Sequence, residues 1–307
     1  MTGESWPHAL ETVRGPIDRL KFDGVRNGMG SAAPSIVGLM DRGVLSPDLM
    51  CGLTLTLLSG QPRTPKLDSE GKASATDGGV WVREQFTCHR PIPADEAFEI
   101  NGASTGRYVR RGRRYGTNVA ETRTADGELL ATNMTTGLLA YKVEEGLEDE
   151  VVGIPYDETP APVPDLSRAE FNPHRGAISA AQVGDVLGGE DVLMSLAMMA
   201  ARDTENPDNP IHSDIEKAKA AGLDRPIAGG SHVLAFALEP VMAAWGDEVL
   251  FHGARLDVRW KAPTHCDVHI TSTVTVVDVN DTGVRLAAEV TLESGATAMV
   301  ADIEIPR

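Results

Sequence analysis

The chain has 307 residues, 41% of them hydrophobic, and a formal net charge of −17. This length is enough for two packed domains or one large one, and without any run of 18 apolar residues we expect a soluble globular protein. The negative charge disfavours nucleic acid and anionic membrane surfaces as partners.

The first twenty residues contain charges and prolines throughout and lack the apolar segment of a signal peptide. The three cysteines, Cys51, Cys88 and Cys266, have no metal-like spacing, and His265 and His269 have no companion ligands nearby in the sequence. We therefore expect a cytoplasmic protein with reduced thiols and no metal site.

The first predicted unit spans residues 1–143 and combines one apolar helix with paired strands. The helix is predicted in the apolar segment Leu49–Leu58, which follows a turn at Gly43–Pro47. Further on, Tyr115–Lys142 consists of two alternating runs around Ala125-Asp126-Gly127, which is a hairpin signal.

Residues 144–171 are predicted to be an exposed linker between two units. The stretch is rich in acidic residues and contains four prolines, Pro155, Pro160, Pro162 and Pro164. Such a composition cannot bury enough apolar surface to form a core. We expect its carboxylates to face solvent without a catalytic role.

The second predicted unit, residues 172–307, has the same order of elements as the first. A short helix with Asp214 in its first turn ends at Gly222, and Gly229-Gly230 opens an apolar helix from about Ser231 to Ala244. Two strand runs follow, at 268–279 and 284–305, on either side of a turn at 280–283.

Matching turns indicate that the two units are copies of one another. Three pairs of turn residues recur at nearly constant offsets (222 − 43 = 179, 226 − 47 = 179 and 263 − 93 = 170): Gly43 and Gly222, Pro47 and Pro226, Pro93 and Pro263. A duplicated unit of one apolar helix and one antiparallel sheet predicts the α+β class. Specifically, it predicts a double hot-dog fold, in which two curled antiparallel sheets each wrap a central apolar helix. Two unrelated α+β domains with coincidental turns are the alternative.

Polar groups cluster just before the second apolar helix. Prolines hold Asp208, Asn209 and His212 close together in a turn. The helix start at Gly230 presents unpaired N–H groups and partial positive charge, and glycine permits close approach of a ligand oxygen. Since an imidazole transfers protons near neutral pH, this pattern predicts proton transfer beside a polarised carbonyl. The alternative is a plain Gly-Gly turn with a capping or core histidine.

The offset of 179 also predicts what the first unit lacks. His212 corresponds to Ala33, and Asn209 corresponds to Gly30. The first unit therefore has no polar proton carrier at the position where the second has one.

The segment Asn209–Asp214, which reads NPIHSD, and the helix start at Gly230 closely resemble the hydratase motif of MaoC-like, (R)-specific enoyl-CoA hydratases. The resemblance covers roughly residue 185 to the C-terminus. Two departures matter. The family carries its catalytic Asp two residues before the Asn, where this chain has Pro207, and it usually has a His where Gly229 stands.

The resemblance implies reversible hydration of trans-2-enoyl thioesters, or in reverse dehydration of (3R)-3-hydroxyacyl thioesters, most simply acyl-CoA. It implies no cofactor apart from the coenzyme A or phosphopantetheine of the substrate. The first unit, around Met29–Leu58, would then provide room for a bulky acyl group. Asp208 is the expected substitute for the missing carboxylate, with Asp203 more remote. The expected site residues are His212 and Asp208 for catalysis and, for substrate binding, Asn209, Gly229, Gly230 and Ser231.

Three side-chain groups have two interpretations each. Ser231 has no candidate base at a recognisable sequence spacing that would make it a nucleophile, so it either caps the helix or hydrogen-bonds the thioester. His232 either lines the site or packs within the core. The basic patch either binds phosphates of the carrier or forms the outer positions and turn of a hairpin. Its members are Arg110, Arg111, Arg113 and Arg114.

Three other functions remain open on the same fold. A thioesterase would release free thiol. A dehydratase of a biosynthetic assembly line would keep the same residues but take carrier-bound substrates. A non-catalytic binding subunit is the third possibility. The first unit lacks the polar groups of the second, and the change to Pro207 would then be a further loss of this kind. The small-molecule thioester is the expected partner, and a homodimer of double hot dogs is the expected assembly if the outer sheets pair.

Overall fold

The computed structural model describes residues 6–59, 80–139, 143, 145–153, 178–203 and 210–306. The strands of the first repeat are β1 (His8–Ala9), β2 (Val13–Arg14), β3 (Val80–Cys88), β4 (Phe98–Arg110), β5 (Arg113–Thr124), β6 (Leu129–Leu138) and β7 (Glu150–Gly153). The strands of the second repeat are β8 (Val186–Leu193), β9 (Ala254–Trp260), β10 (His269–Asn280), β11 (Gly283–Leu292) and β12 (Thr297–Pro306). The helices are α1 (Arg19–Met29), α2 (Pro34–Asp41), α3 (Pro47–Cys51), α4 (Leu53–Ser59), α5 (Leu196–Arg202), α6 (Ile215–Ala220) and α7 (Gly230–Trp245).

The strands of the described part of the chain form one continuous antiparallel sheet in the order β1-β4-β5-β6-β3-β9-β12-β11-β10-β8, with β2 and β7 also paired to β4. The two repeats join where β3 pairs with β9. Glu84 lies opposite Val258, and Phe86 lies opposite Leu256. Because 258 − 86 = 172 and 256 − 84 = 172, the two pairs exchange under a local two-fold axis, as expected for two copies of one unit.

Both repeats also bend at the same place in their longest hairpin. The register of β4 against β5 shifts between Ser104 and Gly106, and that of β10 against β11 shifts between Val276 and Asp278. The offset is again 172, since 276 − 104 = 172. An extra residue in one strand sharpens the twist, which helps a sheet to curl around a helix. The predicted double hot-dog fold is confirmed.

The two repeats are equivalent, but the offset between equivalent residues changes just before the central helices. Gly43 and Gly222 follow α2 and α6 with φ of 76° and 86°, so this match holds. The next equivalent contacts are the isolated bridges Val44–Pro93 and Ile227–His265, and 227 − 44 = 183. The second repeat is therefore four residues longer at this point (183 − 179 = 4).

The predicted match of the prolines is consequently wrong. Pro47 is the first residue of α3, and it corresponds to Gly230, the first residue of α7, because 230 − 47 = 183. Pro226 lies one residue before Ile227, which forms the bridge with His265. Pro93 likewise corresponds to His265 rather than to Pro263, because 265 − 93 = 172.

The central helices of the two repeats differ. Helix α7 is continuous over 16 residues and is buried from His232 to Met242. The single apolar helix predicted for the first repeat is wrong, because Gly52 separates α3 from α4. The backbone carbonyl of Cys51 accepts from Asn133 Nδ2 at 3.1 Å rather than continuing the helix.

The inner face of the first sheet is polar where that of the second is apolar. Glu84 on β3 lies opposite Thr135 on β6, whereas the equivalent pair in the second repeat is Leu256 and Ile303. All four are buried. Asn133 Nδ2 donates to Glu84 Oε1 at 2.9 Å. Burial raises the pKa of the Glu84 carboxyl to about 8, although the hydrogen bond from Asn133 acts in the opposite direction.

The hairpin predictions are confirmed at both turns, but the predicted run 284–305 consists of two strands, β11 and β12. The turn of β5 and β6 includes the left-handed Gly127, and β10 and β11 meet at 280–283. The arginine patch lies at the tip of the β4–β5 hairpin, with its turn at Arg111 and Gly112, which agrees with the structural interpretation of that patch. Within the predicted linker, residues 150–153 form β7 on the edge of β4, and residues 154–171 lie outside the described part.

Among the described residues, no helix is long and apolar enough to cross a membrane.

Candidate functional site

The turn before α6 orients the imidazole of His212. Residues Pro210–His212 form one 3₁₀ turn, and Asp214 Oδ1 then caps α6 by accepting from the backbone amides of its first turn. His212 Nδ1 lies 2.7 Å from the carbonyl oxygen of Ile227. A carbonyl can only accept, so Nδ1 carries the proton and Nε2 of the neutral ring carries the lone pair.

The surroundings of His212 favour this neutral form. The ring is partly buried, and burial lowers the pKa of His212. The hydrogen bond to Ile227 opposes that effect, and the positive charge of Arg202 adds to it. A neutral imidazole whose Nε2 can accept a proton is the form that a general base requires.

The start of α7 is the second part of the site. Gly229 is its N-cap residue, and no described side chain caps the helix. The first N–H groups of a helix have no partner within the helix, so this end can receive a ligand oxygen. A Cβ built on Gly229 would meet no described atom within 4 Å, which leaves space beside the helix start.

Glycine is required at 230 for a reason that the sequence did not predict. A Cβ on Gly230 would lie 2.9 Å from the ring atoms of both Trp81 and Trp260. The two indole rings pack with centroids 5.2 Å apart, and Trp260 Nε1 donates to the Gly230 carbonyl at 3.0 Å. The tryptophans therefore fix the position of the helix start from one side.

A buried ion pair lies at the same end of α7. Arg202, the last residue of α5, contacts Asp48 on α3 at 2.5 Å, and their side chains are 8% and 0% exposed. Arg202 Nη2 also donates to Ser231 Oγ at 3.1 Å. No sequence pattern indicates this group, because Asp48 and Arg202 are 154 residues apart and neither lies in a recognisable motif.

His232 belongs to the core rather than to an open site. It is 1% exposed, and its Nε2 lies 2.8 Å from the carbonyl oxygen of Gly28. Burial, followed by the charge of Arg202, keeps the pKa of His232 well below its ordinary value. Of the two interpretations, the structure supports the packed histidine.

Asp203 provides a carboxyl group next to the His212 turn. It ends α5, is partly buried, and its Oδ2 lies 3.3 Å from the hydroxyl of Ser213, the residue that follows His212. Burial raises the pKa of Asp203 to about 7, although Ser213 and Arg202 act in the opposite direction.

The structure thus brings together several of the residues expected from the sequence. His212 bonds to Ile227, three positions before Gly230, and Arg202 lies close enough to act on the imidazole while bonding to Ser231. Asp208 and Asn209, the other predicted site residues, lie outside the described residues. A separate shallow pocket of about 340 Å³ lies at the opposite end of α7, next to Arg42 and Gly246.

Part of the second repeat is similar to a known protein family. Residues 203–298 match the model of the MaoC like domain. This part of the chain is similar to the MaoC like domain. The matched range begins at Asp203, somewhat later than the resemblance read from the sequence, and it supports a hydratase or dehydratase at the level of the family. A comparison with curated proteins gives no match.

Solved structures with the same fold cover almost the whole chain. A MaoC-like dehydratase is 19% identical with a TM-score of 0.65, covering 97% of both chains. A Mycobacterium tuberculosis protein described as a double hot-dog fold is 14% identical (TM-score 0.56; 99% of this chain and 95% of that one). An oleoyl thioesterase from Lactobacillus plantarum is 12% identical (TM-score 0.56; 98% and 97%). At these identities the likeness concerns the fold alone.

Proposed function

We propose that the protein catalyses reversible hydration of trans-2-enoyl thioesters, with acyl-CoA as the substrate class. The proposal is supported by the pairing of an oriented, neutral imidazole with a helix start that no described side chain caps. His212 donates through Nδ1 to Ile227, and Gly230 begins α7 three residues later. The match of residues 203–298 to the MaoC like domain supports the same class of reaction.

In the proposed reaction, the thioester oxygen lies at the start of α7. The Gly230 N–H and the positive end of the helix stabilise the enolate-like charge that forms on that oxygen when water attacks. His212 Nε2 removes a proton from the attacking water, whose oxygen bonds to the β-carbon. A proton is then delivered to the α-carbon, and the product is a 3-hydroxyacyl thioester. The (3R) configuration follows from the family resemblance.

A carboxyl group assists the proton transfers in this proposal. Asp203 is the candidate among the described residues, because its hydrogen bond with Ser213 ties its carboxyl to the His212 turn. Its pKa of about 7 lets it both give and take a proton near neutral pH. Asp208 is the alternative carboxylate, so the variants Asp203→Asn and Asp208→Asn identify the one in use by the larger fall in kcat.

The first test follows the loss of the enoyl absorbance with a series of trans-2-enoyl-CoA substrates, from short to long acyl chains. The proposal predicts hydration of at least one chain length and dehydration of the (3R)-3-hydroxyacyl-CoA product, without release of thiol. A thiol reagent in parallel reactions detects thioesterase activity. Thiol release without hydration would replace the proposal by a thioesterase, and neither activity would support a binding subunit.

The same assay separates the two kinds of substrate carrier. The proposed coenzyme A thioesters are compared with the same acyl groups on phosphopantetheine attached to a carrier protein. A higher kcat/KM for the coenzyme-bound form is expected. The reverse preference would assign the protein to a biosynthetic assembly line.

A further inference from the structure

The first repeat places a charged residue against the reaction site of the second. Asp48 is the second residue of α3, and Ser231 is the second residue of α7, so the two are equivalent positions of the duplicated unit (231 − 48 = 183). At the first position, α3 has Pro47, which lacks the N–H that Gly230 offers in α7. The first repeat therefore has no matching donor for a thioester, but it has a carboxylate.

Arg202 connects these two equivalent positions. Its guanidinium bonds to Asp48 Oδ2 at 2.5 Å and to Ser231 Oγ at 3.1 Å. The close packing of α1 on α5 permits this, because a Cβ on Gly28 would lie 2.4 Å from Arg202 Cβ. Asp48 Oδ1 has no hydrogen-bond partner among the described residues, so the ion pair with Arg202 is the main compensation for burying this carboxylate.

The direction of the second bond determines what Ser231 can do. A guanidinium group can only donate, so Ser231 Oγ accepts from Arg202. The hydroxyl proton of Ser231 is then left to donate to another acceptor, and the adjacent positive charge makes it a stronger donor. The hydroxyl lies on the first turn of α7, one residue after the N–H that would bind the thioester oxygen.

We propose that Asp48 and Arg202 are positioning residues that hold the Ser231 hydroxyl as a second hydrogen-bond donor to the thioester oxygen, beside the N–H of Gly230. This inference rests on the proposed function of the same site. It assigns the first repeat a direct part in the reaction, because Asp48 fixes the arginine that orients the serine of the second repeat.

The test is a double-mutant cycle on kcat for the best enoyl-CoA substrate. Ser231→Ala removes one donor and is expected to lower kcat by about 100-fold, in the range for one oxyanion-hole donor. Asp48→Asn releases Arg202 and is expected to lower kcat by about 10-fold. Because Asp48 acts through Ser231, adding Asp48→Asn to Ser231→Ala should cause no further loss. The inference would be overturned if the loss of kcat in the double variant equalled the product of the two single losses. An unchanged kcat in Asp48→Asn would also overturn it.

Asp257→Asn is the matched control. It breaks another partly buried ion pair, between Arg83 and Asp257 at 2.6 Å, on the strands that join the repeats. Both Asp→Asn variants are expected to lose stability in urea denaturation, but kcat should fall only in Asp48→Asn. Equal kcat losses in the two would reduce the Asp48–Arg202 pair to a structural role and overturn the inference.

A second measurement does not depend on turnover. The carbonyl stretch of a saturated acyl-CoA, labelled with ¹³C at the thioester carbon, moves to lower frequency when hydrogen bonds form to its oxygen. We expect this shift in the wild-type complex and a smaller one in Ser231→Ala and Asp48→Asn. Absence of hydration with these shifts intact would remove the proposed reaction but keep the donor assignment. Identical shifts in all three proteins, or no binding, would remove the assignment itself.

Discussion

Replacing the buried carboxyl of Glu84 should change how the stability of the protein depends on pH. Glu84 is 0% exposed on the inner face of the first sheet, and burial raises its pKa from 4.5 to about 8. The raised pKa means that the folded state holds this proton more tightly than the unfolded state. The resulting stabilisation is complete below pH 4.5 and is lost as the pH rises through about 8.

The magnitude follows from the shift. Each pH unit within this window lowers the free energy of unfolding by about 1.4 kcal/mol, because the unfolded chain is already ionised while the folded chain is not. Between about pH 6 and about pH 8, Glu84 should therefore destabilise the wild type by about 2–3 kcal/mol. Glu84→Gln copies the neutral acid and keeps the acceptor for Asn133, so this pH dependence should disappear.

Urea denaturation at several pH values between 6 and 9 measures this difference. Glu84→Leu, which copies Leu256 of the second repeat, is a matched variant that also cannot ionise. It should differ from Glu84→Gln by a constant amount at every pH. Other titrating groups are common to all three proteins and cancel in the comparison. Parallel stability curves for the wild type and Glu84→Gln would refute the assignment of a protonated Glu84.

Three further results are expected. Glu239→Gln should lower the free energy of unfolding by about 2 kcal/mol in urea denaturation, because its buried carboxylate accepts from two first-turn amides of α2, at 2.9 and 3.1 Å. Gly230→Ala should destabilise by about 1–3 kcal/mol through the clash with two indole rings, whereas Gly38→Ala, with open space at its Cβ inside α2, should stabilise by about 0.5–1 kcal/mol. The kcat/KM of the proposed hydration should fall on acidification with a midpoint below 6.5, because the lowered pKa of His212 keeps the base neutral down to that range. A midpoint above 6.5 in the pH–rate profile would contradict that role.

The elements that local sequence signals specify were predictable. The short helix α6 with its end before Gly222, and the long helix starting at Gly230, depend on neighbours within a few residues. Asp214, predicted in the first turn of α6, is its N-cap residue. The turns at 125–127 and 280–283 have the same local origin. Of the recurring turn signals behind the predicted duplication, the match of Gly43 with Gly222 holds, whereas the two proline matches do not.

Features that depend on distant residues were not predictable in this way. Helix α3 ends at Cys51, whose carbonyl oxygen accepts a hydrogen bond from the Asn133 side chain on β6. The apolar pattern of Leu49–Leu58 does not indicate this contact. The predicted match of Pro47 with Pro226 is wrong because the second repeat has four additional residues after Gly222. A turn signal does not show how many residues follow the turn.

The same difference between local and long-range features applies to the candidate site. The motif around His212 and Gly230 was readable because its residues are close in sequence. The contribution of Asp48 was not, because it reaches Ser231 only through Arg202 and the packing of α1, α3, α5 and α7. A single sequence carries no local signal for a contact between two repeats.

In the proposed reaction, His212 acts as the base beside the start of α7. The most direct test compares kcat for hydration in the wild type, in His212→Ala and in His269→Ala, whose exposed imidazole pairs with Asp191 on the sheet edge. The expected result is a loss of about 100- to 10,000-fold in His212→Ala and no change in His269→Ala. Equal rates in His212→Ala and the wild type would show that His212 is not the base.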